Sequence, residues 1–144
     1  MIKRFTLALF ATMACVIGAS ALNVTVDGTK FYYIVNSDGT KTVTITNVDS
    51  TTDSSPTSSS QTTNYKGSIT VPNTFTKSST TYTVTQIGGY AFYGCTSLTS
   101  VDLSSCTSLT TIGTYAFYNC TSLTSVTLPS TLTSIGSYAF NNCI

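Results

Sequence analysis

The sequence predicts an α/β repeat solenoid. Short parallel strands form one face of its coil, short helices or turns form the other face, and an N-terminal β-hairpin cap precedes the coil. Three observations predict this class. The segment IGxYAF occurs three times, starting at Ile87, Ile112 and Ile135, so its periods are 25 and 23 residues. Alternating apolar residues follow the first two copies, and a strand-like segment precedes them. Repeats of this length bury their apolar faces by stacking on one another.

Residues 1–21 have the pattern of a secretory signal peptide. Lys3 and Arg4 come first, an apolar run follows, and the segment ends in the small-x-small sequence ASA. The apolar run is short for a bilayer, so we expect cleavage near Ala21 and no membrane span after signal removal. The predicted location is therefore secreted or cell-surface.

The composition excludes several classes of function. The chain has no histidine and no glutamate, and its formal net charge is +1 at pH 7. Without these side chains most routes to general acid–base catalysis are closed, so we expect no enzyme and no catalytic residue. The near-zero charge offers no field for nucleic acid. Without histidine or closely paired cysteines, no metal site is expected, nor is any cofactor.

Residues 22–48 predict the β-hairpin. Its strands are KFYYIV (30–35) and TKTVTITNV (40–48), which are rich in aromatic and β-branched residues, and NSDG (36–39) is the turn between them. Residues 49–64 are mostly serine and threonine, with proline as the only apolar residue. Such a segment gains too little from burial to order itself, which predicts a flexible loop.

Residues 65–144 contain the repeats, about two and a half copies with the last incomplete. Val101 and Leu103, like Val126 and Leu128 one repeat later, alternate with polar residues and should point inward from a short strand. The outward residues of these strands and the residue just beyond form the candidate ligand face: Ser100, Asp102, Ser104, Ser125 and Thr127.

The other side of each coil is predicted from the residues after the strand-to-turn corner. Phe92, Cys95 and Leu98 are spaced by three, so they can share one face of a short helix or turn. The glycine after each isoleucine of IGxYAF suits a tight corner between strand and helix.

The pattern IGxYAFxxCxSLxSVxLPxxLxxI resembles the BspA-like leucine-rich repeats of secreted and surface proteins. Within it, residues 98–109 match L-x-x-L-x-L-x-x-C-x-x-L, with Val101 in one leucine position. The resemblance implies a right-handed solenoid, adhesion to host proteins or to other cells, and no catalytic residues. We expect the ligand to be an extracellular protein or glycan of a host or neighbouring cell.

The repeated cysteines and tyrosines each leave alternatives open. Four cysteines follow the signal segment, an even number that permits disulfides: Cys95, Cys106, Cys120 and Cys143. If the coils are spaced by a helix width, about 10 Å, the cysteines are too far apart to pair, so we favour buried thiols. The tyrosines at 90, 93, 115, 118 and 138 either form an aromatic stripe for a ligand or cover the coil beside the phenylalanines.

Two hypotheses of function follow. The first is a secreted or surface binding module that uses the strand face. The second is a fragment of a longer repeat array with a structural or display role, because Phe140, Cys143 and Ile144 would leave an apolar edge open. That edge also makes an oligomer possible.

Overall fold

A computed structural model describes residues 22–36, 38–46 and 65–144. These ranges contain ten β-strands and no α-helix. The predicted signal peptide (1–21) and the predicted flexible loop (49–64) lie outside the described residues.

The N-terminal strands form an antiparallel meander. Strand β1 (Leu22–Val26) pairs with β2 (Thr29–Val35), and β2 pairs with β3 (Thr42–Thr46). The last two correspond to the two strands expected from the sequence, and β1 is an additional strand. It turns into β2 at Asp27 and Gly28, both with positive φ. A cap function for this meander stays a prediction.

An unexpected hairpin follows β4 (Gly67–Thr70). Strands β5 (Thr74–Lys77) and β6 (Thr80–Ile87) pair antiparallel around Ser78 and Ser79, whose φ angles are 49° and 66°. Two consecutive positive φ angles match the twist of a two-residue hairpin turn. The sequence pattern marked this segment only as extra residues within the repeat.

The repeats form strands on two faces of the coil, whereas the sequence predicted one. On the first face, β4 pairs in parallel with β7 (Leu98–Asp102), and β7 pairs in parallel with β9 (Ser125–Thr127). On the second face, β3, β6, β8 (Thr111–Ile112) and β10 (Ser134–Ile135) lie side by side in parallel. The second face continues the N-terminal meander as one seven-stranded sheet. The isoleucines of IGxYAF are the last residues of β6, β8 and β10, and they lie in register.

The sequence predicted short helices or turns on the side of the coil away from the strands. The described residues form consecutive turns there and no helix. In the first coil the N–H of Cys95 donates to the carbonyl of Phe92, and Leu98 donates to Cys95, so the spacing of three is that of successive turns. Tyr90 and Gly94 have φ angles of 60° and 68°. Two left-handed residues four positions apart cannot belong to a right-handed helix.

These turns also bond to the next coil. The N–H of Phe92 donates to the carbonyl of Ala116 at 2.7 Å, and Phe117 donates to Ala139 at the same distance. Coils joined in this way are a strand width apart, about 4.8 Å, and not the helix width that we expected. The distance argument against disulfides was therefore wrong. Even so, the cysteines of residues 65–144 form no disulfide.

The glycines after the isoleucines are required by close stacking, not by a tight corner. Gly88, Gly113 and Gly136 have no positive φ angle. A Cβ added at Gly113 would lie 2.4 Å from the backbone nitrogen of Gly89, and one at Gly136 would meet Thr114 at the same distance. The backbone of each coil thus lies directly on the preceding one.

One continuous core runs from the meander through the coils. Val101 and Leu103 are buried as predicted, as are Phe92, Phe117 and most cysteines of the turns. In the last coil the pattern weakens, since Val126 is half-buried and Leu128 is 42% exposed. Ile135 and Ile144, at 50% and 85%, are also exposed there. No further described coil stacks on them.

Candidate functional site

The predicted ligand face lies on the three-stranded sheet β4–β7–β9. Ser68, Ser100 and Ser125 occupy one register row across these strands, and Asp102 and Thr127 continue another row that begins on β4. Between the rows, the side chain of Val101 is buried in the core. The structure thus brings four of the five predicted residues onto adjacent strands, and Ser104 lies two residues after the end of β7.

Hydrogen bonds fix the central part of this face. The hydroxyl of Ser100 donates to the hydroxyl of Ser68 at 2.6 Å. The backbone N–H of Ser104 donates to Oδ1 of Asp102 at 2.8 Å. Bonding from Ser104, by its side chain first and its backbone second, lowers the pKa of Asp102. The carboxylate therefore stays ionised at neutral pH.

The chemistry of the face is that of a polar contact surface. Ser104, Ser125 and Thr127 are exposed, and Ser100 and Asp102 are half-exposed. Asp102 is the only charged residue between positions 78 and 144. Hydroxyls and one carboxylate can donate and accept hydrogen bonds.

A second surface lies on the turn side of the coils. For its tyrosines the sequence left two interpretations, a stripe for a ligand or a cover over the coil. Five tyrosines lie there in two columns, which we call the tyrosine surface: Tyr90, Tyr115 and Tyr138 in the first column, Tyr93 and Tyr118 in the second. Four of them are half-exposed and Tyr138 is 59% exposed. Burial first, and the neighbouring tyrosines second, raise the pKa of Tyr115. The signal was present in the sequence as the repeated YAFY spacing.

Cys95, Cys106 and Cys120 are buried inside the coils, and Cys143 is half-buried. The thiol of Cys120 donates to the carbonyl of Phe92 at 3.0 Å, and that of Cys106 donates to Val71 at 3.3 Å. Burial raises the pKa of Cys95 and Cys106 to about 11 and that of Cys120 to about 12. Such thiols stay protonated and unreactive at neutral pH. They act as core residues.

Thr131 departs from the repeat pattern but keeps a side-chain hydrogen bond to the preceding coil. Thr131 stands where the preceding repeat has Cys106. Its hydroxyl donates to the carbonyl of Leu109 at 2.8 Å, so a side-chain bond to the preceding coil is kept.

Two kinds of site are absent from the described ranges. No three His, Cys, Asp or Glu side chains of these residues lie close enough together to hold a metal ion. The described part of the chain also contains no helix long and apolar enough to cross a membrane.

Comparison with known proteins identifies the repeat family. Residues 68–144, more than half of the chain, match the family model described as BspA type leucine-rich repeat region (6 copies). No protein with a curated description matches the chain.

Two solved structures share the fold. The leucine-rich repeat protein of T. pallidum is 26% identical, with a TM-score of 0.58 over 78% of this chain and 42% of that one. A leucine-rich repeat protein from Bacteroides capillosus ATCC 29799 is 28% identical, with a TM-score of 0.58 over 82% of this chain and 73% of that one. The chain thus spans less than half the length of the T. pallidum protein.

Proposed function

The chain belongs to the BspA-type leucine-rich repeat family, and from this membership we propose that it is a secreted or cell-surface binding module. Its ligand would be an extracellular protein or glycan, bound on the strand face formed by β4, β7 and β9. The charged and apolar pattern of residues 1–21 supports export. No catalytic step is part of the proposal, since the chain has neither histidine nor glutamate.

One observation carries the proposal. The outward residues Ser100, Asp102, Ser125 and Thr127 lie in register on parallel strands whose inward row is packed in the core. Their side chains can be exchanged without disturbing that core, so this face can be adapted to a ligand at little cost in stability.

The test is a charge reversal with a matched control. Asp102→Lys changes the proposed face, whereas Asp38→Lys makes the same change in the turn between β2 and β3. Both carboxylates are solvent-facing and accept a backbone N–H from two residues onward, Thr40 for Asp38 and Ser104 for Asp102. The two variants therefore lose the same kind of turn contact and differ in position.

Binding would be measured on a panel of matrix proteins and neutral glycans, with circular dichroism to follow folding. We expect Asp102→Lys to weaken a saturable interaction about tenfold, roughly the loss of one good polar contact. Asp38→Lys should leave it within about twofold of the parent. Equal losses in both variants, or a loss that follows unfolding alone, would contradict the proposal.

The alternative is a structural role within a longer repeat array, in spacing or display, without binding activity of its own. The exposure of Leu128, Ile135 and Ile144 supports it, because a stacked coil or a second copy would bury these side chains. Light scattering over a range of concentrations separates the cases. Growth in mass with concentration supports assembly through this edge, and a constant monomer mass argues against it.

A further inference from the structure

The tyrosine surface holds the accessible phenol groups of the chain. The chain has nine tyrosines, and the four outside this surface are at most 8% exposed: Tyr32, Tyr33, Tyr65 and Tyr82. On the surface itself, Tyr138 is 59% exposed and the other four rings are half-exposed. The chain contains no tryptophan, the other aromatic side chain that readily loses a single electron. A one-electron oxidant in solution therefore reaches aromatic groups chiefly at this surface.

Equivalent rings of neighbouring coils face one another at short range. The ring centroids of Tyr93 and Tyr118 are 5.2 Å apart, with 11° between the planes. Those of Tyr90 and Tyr115 are also 5.2 Å apart, at 17°, and those of Tyr115 and Tyr138 are 5.2 Å apart, at 10°. Because the faces are turned toward each other, what the surface exposes is ring edges.

The hydroxyl ends of these rings also lie close together. Burial first, and then the phenol groups of Tyr138, Tyr90, Tyr118 and Tyr93 in that order, raise the pKa of Tyr115. Titratable groups influence one another in this way only at short range. The ring carbons beside each oxygen, where a phenoxyl radical carries much of its unpaired electron, are therefore near their counterparts on the neighbouring coil.

The backbone keeps the coils close enough for a covalent bond between side chains. The N–H of Tyr115 donates to the carbonyl of Ser137 at 3.0 Å, one of the bonds that hold neighbouring coils a strand width apart. That width, about 4.8 Å, falls inside the range of about 4.4 to 6.8 Å over which side chains as short as cysteine are bridged. Two half-exposed tyrosines can therefore bring their ring edges together by side-chain rotation, with the coils in place.

The buried phenylalanine column gives an internal contrast. Phe92, Phe117 and Phe140 are stacked at 4.8 and 5.0 Å, much as the tyrosines are. These rings have no hydroxyl that can lose a hydrogen atom. Spacing is thus common to both columns, and only the phenol chemistry is particular to the tyrosine surface.

We propose that the tyrosine surface is a site of oxidative cross-linking, at which a dityrosine bond joins neighbouring coils. The oxidant is of the peroxidase class, a haem enzyme supplied with hydrogen peroxide. Each of two phenols loses one electron and one proton. The two radicals form a carbon–carbon bond beside their oxygens, and each ring then transfers the hydrogen of its bonded carbon to its own oxygen. One hydrogen peroxide takes up the two electrons and two protons and becomes two water molecules.

The bond would join coils that are otherwise held together by non-covalent contacts, since the cysteines of residues 65–144 form no disulfide. It would link residues 25 positions apart when it joins the first two coils. A cross-link of that kind restricts the unfolded chain as a disulfide does. The site does not involve the strand face, so its failure and that of the function proposed above are separate results.

The sequence supplies a cleavage site that detects this bond. Asp102 is the only acidic residue after Asp53, so a protease that cuts before aspartate yields fragments 53–101 and 102–144. The tyrosines of the first coil are in the first fragment, and those of the next two coils are in the second. A bond between the first two coils therefore joins the fragments, and the product is lighter than their sum by two hydrogen atoms.

The purified chain is treated at low concentration with a haem peroxidase and hydrogen peroxide. It is then reduced, which opens any disulfide formed through the half-buried Cys143, and is digested. Mass spectrometry and dityrosine fluorescence identify the joined fragment. We expect it to be the main cross-linked product, with a yield about fivefold or more above that of the same chain oxidised in urea, because folding holds the rings together.

Phenylalanine variants identify the rings that react. Tyr115→Phe combined with Tyr118→Phe keeps both rings and removes the phenols that face the first coil. We expect it to lower the yield of the joined fragment about tenfold or more, since only distant phenols remain in residues 102–144. The matched control is Tyr138→Phe, which removes a phenol from the same surface but not from the first two coils. It should leave the yield within about twofold.

The proposal is overturned if the fragments stay separate after oxidation, or if cross-links form only between chains. It is equally overturned if the chain in urea gives the same yield, or if the double variant retains it. Circular dichroism checks the folding of every variant. Should the double variant fail to fold, Tyr115→Phe and Tyr118→Phe are measured singly, and an unchanged yield in both overturns the proposal.

Discussion

Strands β2, β5 and β6, which we call the N-terminal layer, bury aromatic rings in a different way from the repeat coils. In the N-terminal layer Tyr33 meets Phe75 at 4.3 Å and 57°, and meets Tyr82 at 6.2 Å and 40°. In the coils Phe92 and Phe117 are nearly parallel, 4.8 Å apart at 2°. The coil residues meet their own equivalents at a spacing set by backbone hydrogen bonds. The N-terminal residues have no equivalents, so their fit depends on individual shapes.

This difference locates the sensitive atoms of each region. In the coils, stability depends on how closely the backbones of neighbouring coils approach, as the contacts at Gly113 show. In the N-terminal layer, stability depends on the chemistry of the buried side chains. Tyr33 is fully buried, and among the described residues its hydroxyl has no hydrogen-bond partner. The coils bury Phe92 and Phe117 and leave the tyrosine surface half-exposed or exposed.

The largest expected effect is that of Gly113→Ala. The added methyl would collide with the backbone of Gly88 and Gly89, which cannot move without opening the inter-coil bonds. We expect a loss of about 3 kcal/mol or more in the free energy of unfolding. The control is Gly94→Asn, because Asn119 and Asn142 occupy the equivalent position. Urea denaturation of both variants measures this. Comparable losses would show that close stacking is not what limits the coils.

An intermediate effect is expected at alkaline pH. Burial raises the pKa of Cys95 from its ordinary value of 9.0 to about 11 and that of Cys120 to about 12. The unfolded state therefore loses protons first, and stability falls as pH rises from about 9 to 12. Cys120→Ala should reduce this fall by about 1 to 2 kcal/mol at about pH 10.5. Denaturation midpoints at neutral and alkaline pH provide the measurement. An unchanged pH dependence in the variant would contradict the assignment to the thiol.

The smallest effect is expected in the N-terminal layer. Tyr33→Phe removes a buried hydroxyl that has no hydrogen-bond partner in the part of the chain that the structure describes, and it keeps the ring contacts with Phe75 and Tyr82. We expect a gain of about 1 kcal/mol in the free energy of unfolding. Burial first, and Tyr82 second, raise the pKa of Tyr33 to about 12, so the variant should also be more stable above pH 10. A thermal denaturation series would reveal either change. A clear loss of stability would indicate that the hydroxyl has a bound partner such as water.

The sequence predicted the strand face well because its signal is local. Alternation around Val101 assigns each neighbour to one side of a strand, and repetition then aligns Ser100 with Ser125. The spacing of three in Phe92, Cys95 and Leu98 was ambiguous, since a short helix and successive turns place apolar residues alike. The left-handed tyrosines that decided between them carry no sequence signal, because tyrosine seldom adopts that conformation.

By itself, the sequence determined that the chain is a stack of leucine-rich repeat coils and which residues face inward, because period and alternation are properties of the chain alone. The tertiary structure decided the spacing of the coils, the need for Gly113 and the alignment of the tyrosines into columns. These depend on how closely one coil approaches the next, and that distance is set by hydrogen bonds between residues more than twenty positions apart.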